Sequence, residues 1–145
     1  PNLYQSSRLR HKMISMVLII KDNQILLIHR FKKGLEYYVT PGGHIEEGES
    51  EEEALIREIK EETNLDAKVD KKLWTLINPK DNSKNHFFLV IEFSGEVKLG
   101  GPELERNCEE DKHILEWHNL NEIKELKLFP KPLKEKILLN HSKAY

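Results

Sequence analysis

Glu58, Glu61 and Glu62 stand at i, i+3 and i+4, spacings at which like charges on a helix repel. Two positive residues face six glutamates between residues 51 and 62. Glu61 and Glu62 also fall in the last helical turn, where the dipole disfavours an anion by about 0.3–1 kcal/mol each. A hard divalent cation resolves these conflicts. Mg²⁺ or Mn²⁺ takes carboxylate oxygens, keeps several waters and shares its remaining positions with substrate phosphates. The plainer reading is a solvated acidic helix with Glu53–Arg57 and Arg57–Glu61 pairs, and the excess of acid weighs against it. The segment reads as a divalent-metal site built for phosphates, next to the glycine turn Gly42–Gly43.

A helix must carry these side chains. Ser50 is a good N-cap, Glu53 three residues later completes a capping box, and the helix is predicted to begin at Glu51. Asn64 supplies a left-handed stop. At about 100° per residue, Glu51, Ala54, Glu58, Glu61 and Glu62 share one arc, with Leu55, Ile56 and Ile59 as a buried stripe beside it. Ala54 is expected to leave a hollow among the acids for a hydrated cation. Glu53, Arg57 and Lys60 project from the remaining, solvated face and are not expected to be direct ligands.

Gly43, Glu49, Arg57, Glu58, Ile59, Glu61, Glu62 and Leu65 fit the spacing G-x5-E-x7-R-E-U-x-E-E-x-G-U, with U a bulky aliphatic, so the chain resembles the Nudix hydrolases. Asn64 stands in place of the last glycine, and asparagine tolerates positive φ better than other non-glycine residues. The resemblance implies a single domain over residues 1–145, an α/β fold with a mixed β-sheet sandwiched between helices. It implies a Mg²⁺- or Mn²⁺-dependent pyrophosphohydrolase acting on a nucleoside diphosphate derivative, and leaves room for a homodimer. A catalytically silent Nudix-like module that senses a nucleotide or contacts a protein is the alternative. Carried over by position, Glu61 and Glu62 are the principal metal ligands, and Glu58 is a ligand, the general base, or both. The Gly42 carbonyl adds an oxygen, and Glu49 supports the metal shell or pairs with Arg57, which orients carboxylates. Some members take the base from a downstream loop, where Glu109, Glu110 and Asp111 precede Trp117; Glu110 is the choice among them. Substrate contacts fall to Arg30, to the Gly43 turn and to Tyr38, since one of Tyr37 and Tyr38 packs inward while the other is free to stack on a base. Pro79, 15 residues after Asn64, has a spacing associated with ADP-ribose-cleaving members.

The remaining chain supplies a scaffold. Ile14–Ile20 and Gln24–His29 read as an antiparallel hairpin, Tyr37–Thr40 as a short strand, and Lys68–Ile77, His86–Phe93 and Ile114–Trp117 as further strands. Leu120–Leu126 and Pro132–Leu139 read as helices. The acidic, glycine-bearing loop Gly95–Lys112 is expected to be a mobile lid. His44 is expected to face solvent, and Trp74, Phe87 and Phe88 to pack in the core. With 145 residues the chain can bury its own core. Its net charge of −2 offers no general attraction to nucleic acid or membrane. Cys108 is the one cysteine, which excludes an internal disulfide, and Cys108 with His113 lacks the paired ligands of a zinc site. A cytoplasmic protein is the default expectation. The absence of GxxxxGK and GxSxG sequences argues against a P-loop NTPase or a serine hydrolase.

Overall fold

Val17, Leu18, Ile19 and Ile20 are consecutive and all buried, so the strand that holds them is covered on both faces. A computed structural model describes residues 13–79, 81–100 and 107–144. In it β1 (Met13–Lys21) lies at the centre of a sheet with β2 (Gln24–Lys32), β3 (Leu35–Val39), β4 (Gly42–His44), β5 (Asp66–Ile77), β6 (Lys84–Ser94) and β7 (Asp111–Asn119). The main path runs β3-β2-β1-β6-β5, with β4 on β1 and β7 on β2. β1 and β6 are parallel and the other pairs antiparallel, so the sheet is mixed.

Among the described residues the α-helices are α1 (Glu51–Thr63) and α2 (Lys131–Ala144). Alternation along β1 divides the core between them. Val17 and Ile19 pack with Leu55 and Ile59 of α1, while Leu18 and Ile20 join the cluster holding Leu133 and Ile137 of α2. This is the helix–sheet–helix arrangement that the sequence implies.

Several elements differ from the sequence reading. Ile56, assigned to the buried stripe, is 39% exposed; Leu55 and Ile59 suffice to seat the helix. The helix expected over Leu120–Leu126 is a 3-10 helix over Leu120–Glu125, and α2 extends beyond the expected Pro132–Leu139 at both ends. The hairpin turn is Asp22–Asn23, with φ of 53° and 62°, the left-handed pair that two-residue hairpins favour. Gly42 and Gly43, read as a turn, belong to the strand Gly42–His44.

That last element matters most for the site. β1 bonds β2 at Ile20↔Ile25 and Lys21↔Gln24, then turns its other end to β4 at Ile14↔His44, Ser15↔Gly43 and Met16↔Gly42. The sheet therefore splits, and the paired glycines sit in the split opposite α1.

Candidate active site

The capping box forms as the residues require. Ser50 Oγ accepts from the Glu53 N–H at 3.1 Å, and Glu53 accepts from the Ser50 N–H at 3.2 Å. Asn64 ends α1 with φ 68° and donates its N–H to the Lys60 carbonyl. The asparagine that departs from the motif therefore does the glycine's work.

Between these ends α1 presents its acids to the glycine strand. Glu62 is 4% exposed, and its Oε1 accepts the Gly42 N–H at 2.9 Å. Glu58 lies against Gly43, where an added Cβ would meet its Cδ at 2.5 Å and its oxygens at 2.6 and 2.7 Å. Gly43 thus makes room for a carboxylate. The hollow expected at Ala54 is not there: Ala54 is fully buried in contact with its neighbours, and the missing side chain that matters is the glycine's.

Arg57 also departs from its expected place on the solvated face. Its Nε and Nη2 donate to the two oxygens of Glu49 at 2.7 and 3.0 Å. Nη1 donates to Glu58 at 2.9 Å and to Glu61 at 3.3 Å, and Nη2 reaches the His44 carbonyl at 3.3 Å. The long guanidinium bends back over the acidic edge, because the fork can satisfy three carboxylates there at once. The Arg57 hydrogen bond holds the Glu49 carboxyl below its usual range, and the Glu49 bond raises the guanidinium's pKa. Glu51, expected within the acidic arc, turns instead to His86 at 3.3 Å and Lys72 at 3.9 Å.

The donor chemistry suits a hard divalent cation. Glu58 and Glu62 supply carboxylate oxygens beside the Gly43 and Gly42 backbone, Glu61 shares the Arg57 Nη1 with Glu58, and that guanidinium, itself committed to Glu49, is their countercharge. Among the described residues no three His, Cys, Asp or Glu side chains already converge on a metal-sized point. Arg57 holds Glu58 and Glu61, so a cation would compete with it for those oxygens. Glu61→Gln keeps an oxygen acceptor for Arg57 and removes one repelling charge. We expect it to stabilise the metal-free protein by about 0.2–0.5 kcal/mol. A melting temperature clearly below the parent's in EDTA would count against this.

The outlying candidates are placed less centrally. Arg30 lies within β2 rather than at its end and donates to Asp111 at 2.6 Å, which holds the Asp111 carboxyl below its usual range. Glu110 is exposed in the turn joining Cys108 to Asp111, and its carbonyl accepts the Lys33 N–H at 3.1 Å. Tyr38, the stacking candidate, is half-buried and its ring is already engaged by two histidines. It stacks on His29 at 4.2 Å and meets His118 edge-on at 5.1 Å, in a chain Glu36–His29–Glu116–His118 with contacts of 2.7, 2.9 and 2.8 Å. Burial, then the charges of Glu116, Glu36 and Glu122, raise the Tyr38 pKa. Tyr37 is the ring beside Phe129, at 5.9 Å. His44 is exposed and Phe87 and Phe88 are buried, as expected, with Trp74 half-buried. Residues 95–100 of the expected lid are tied to the end of α1, through Lys98 N–H to the Thr63 carbonyl at 2.9 Å and Gly100 N–H to the Glu62 carbonyl at 3.3 Å, and its far end, Asp111 and Lys112, already belongs to β7. Positions 101–106 lie outside the described residues.

Sequence reasoning missed a cavity of about 310 Å³ lined by Met16, Val39, Asn85, Phe87, Phe129 and Pro130. Met16 pairs with Gly42, so the cavity adjoins the glycine strand. Its lining comes from four separate stretches of chain, which no local pattern could bring together.

The comparisons with known proteins agree with this arrangement. The model of the NUDIX domain matches residues 9–138, and the chain belongs to that family. It is 36% identical over 114 residues to an ADP-ribose pyrophosphatase of Methanocaldococcus jannaschii, covering 75% of this chain and 62% of that protein. It is 34% identical over 88 residues to a putative 8-oxo-dGTP diphosphatase of Bacillus subtilis, covering 61% and 58%. The matched region thus spans about three fifths of each relative's length. The fold is shared with the MutT structure from work on Aliivibrio salmonicida and Vibrio cholerae, with a TM-score of 0.70, 21% identity, and coverage of 88% of this chain and 97% of that one. Among the described residues no helix is long and apolar enough to cross a membrane.

Proposed function

We propose that the protein is a divalent-metal-dependent pyrophosphohydrolase that cleaves the diphosphate linkage of a nucleoside diphosphate joined to a second group X. One observation carries this reading. Glu58 and Glu62 lie against Gly43 and Gly42, and an apolar cavity suited to a flat ring begins at Met16, opposite Gly42. A charged diphosphate and a nucleobase need such unlike surroundings side by side. Asn85 is the polar side chain in the cavity lining, and its amide can both donate to and accept from a ring edge.

Mg²⁺ or Mn²⁺, held by Glu58, Glu61 and Glu62 with the Gly42 carbonyl, would neutralise phosphate oxygens and lower the pKa of a bound water. Glu58 takes a proton from the attacking water as the water oxygen bonds to one phosphorus, and the bond from that phosphorus to the bridging oxygen breaks, so that the bridging oxygen leaves with the other phosphate. Glu58 is preferred to Glu110 as the base because Glu58 already lies against Gly43 of the glycine strand; a base must come within hydrogen-bond reach of the water. Arg57 orients Glu58 and Glu61, and Glu49 fixes Arg57. Arg30, paired with Asp111, is a substrate contact only if the phosphate displaces that carboxylate.

ADP-ribose is the first compound to test, given the named relative and the position of Pro79. The experiment is a panel of ADP-ribose, nucleotide sugars, dinucleoside polyphosphates and modified nucleoside triphosphates with Mg²⁺ or Mn²⁺, products identified by mass. A nucleoside monophosphate and a phosphorylated X are the expected products from ADP-ribose or a nucleotide sugar. Binding across the panel without turnover under either metal would favour a silent nucleotide-sensing module.

A further inference from the structure

A second cavity, of about 350 Å³, lies between one face of α2 and the segment that precedes it. The segment gives Leu126, Lys127, Leu128 and Phe129, and the helix gives Lys131, Lys134, Glu135 and Leu138. The helical residues stand at i, i+3, i+4 and i+7, so they form one wall. Lys134 donates its Nζ to the Leu126 carbonyl at 2.9 Å, and Glu135 is the one carboxylate of the lining. Lys127 and Lys131 are exposed, and neither side chain has an ion pair or hydrogen bond among the described residues. Residues 124–136 hold five lysines and two glutamates, so positive charge gathers here although the chain as a whole is acidic. An apolar floor rimmed by two unpaired ammonium groups suits a ligand with an apolar body and a negative group.

The position of this groove says which ligand. Phe129 belongs to both cavities, and Met16, in the lining of the first, pairs with Gly42. The first cavity therefore borders the acidic cluster through Met16 and the lysine groove through Phe129. A nucleoside presents phosphate in two directions in the same way, because the 5′ oxygen and the 2′ and 3′ oxygens lie on opposite edges of the ribose. We propose that the preferred substrates are nucleoside diphosphate derivatives whose ribose carries a further phosphate at the 2′ or 3′ position, and that Lys127 and Lys131 receive it. The proposal rests on the hydrolase reading of the acidic cluster. Each lysine meets the phosphate as a point charge, and the partly apolar surroundings strengthen that attraction over its value in open water.

Matched substrates test it: NADPH against NADH for the 2′ phosphate, and coenzyme A against dephospho-coenzyme A for the 3′ phosphate. In the parent protein kcat/KM for the phosphorylated member of at least one pair is expected to exceed that of its partner by about fivefold to tenfold. The preference should weaken as salt is raised. The double variant Lys127→Gln, Lys131→Gln should bring the ratio towards unity, and Lys127→Arg, Lys131→Arg should keep most of it. Each ratio is internal to one protein, so loss of folded material cancels. A parental ratio of unity in both pairs, or a glutamine variant with the parent's ratio, overturns the proposal and leaves the hydrolase reading standing. Failure to hydrolyse any of the four compounds, while another compound of the panel is turned over, overturns the proposal alone; no turnover across the whole panel under either metal overturns both.

Discussion

Glu62→Gln is expected to lower kcat/KM by about 10²–10³-fold, the scale of losing one preorganised electrostatic contact at a reacting centre, and to leave the fold intact. Glu62 is buried and its Oε1 accepts the Gly42 N–H at 2.9 Å. Glutamine keeps an amide oxygen in that place, so the hydrogen bond between α1 and the glycine strand survives, and only the negative charge is lost. Relief from a buried, repelled carboxylate should hold the melting temperature without metal at or above the parent's. Mn²⁺ titration supplies the second readout, with affinity expected to fall at least tenfold, as a lost ligand implies. Glu62→Ala differs in kind: it strands the Gly42 N–H and should destabilise the protein by about 1–3 kcal/mol. Turnover by the glutamine variant within a few-fold of the parent at saturating Mg²⁺ would sink the assignment of Glu62 as a ligand.

The acids themselves were legible because a helix is a local object. Ser50, Glu53 and Asn64 set its ends, and the rotation per residue set which carboxylates share an edge. The same arithmetic misplaced Arg57, since it follows the Cβ direction and takes no account of a long side chain returning across the helix to three carboxylates. Glu49, one of those carboxylates, precedes the helix. Tyr38 shows a different limit. Strand alternation says that Tyr37 and Tyr38 face opposite ways, but not that His29 and His118 already hold the Tyr38 ring. The second of those partners lies on β7, far along the chain. Arg30 and Asp111 are separated by 81 residues, so their pairing depends on the register of β2 with β7, which no short window of sequence contains. The two cavities were invisible for the same reason. The 3-10 helix at Leu120–Glu125 was a nearer miss: its apolar pattern suits a helix, but the 3-10 geometry ends after six residues.

Gly43→Ala is expected to separate position from stability. The new Cβ would come within 2.5 Å of the Glu58 Cδ, but that atom is near the tip of a flexible side chain, which can swing away. Gly43 is not among the residues with positive φ, so alanine brings no backbone strain of that kind. The melting temperature should therefore stay close to the parent's. Glu58 must move by roughly 1 Å, a displacement that can reduce an oriented reaction by about 10²-fold. The contrast is Gly42→Ala, one residue earlier. Gly42 has φ 151°, and its added Cβ would collide with the Ser15 carbonyl oxygen and the Met16 Cα. Those are backbone atoms of the central strand and cannot swing aside. Gly42→Ala should lose stability and activity together, by about 1–3 kcal/mol in melting experiments. Gly43→Ala should lose activity alone, with Mn²⁺ still bound through Glu62. If Gly43→Ala hydrolyses ADP-ribose at the parental rate, Glu58 does not work from the position it holds against the glycine, and a loop carboxylate such as Glu110 becomes the better choice of base.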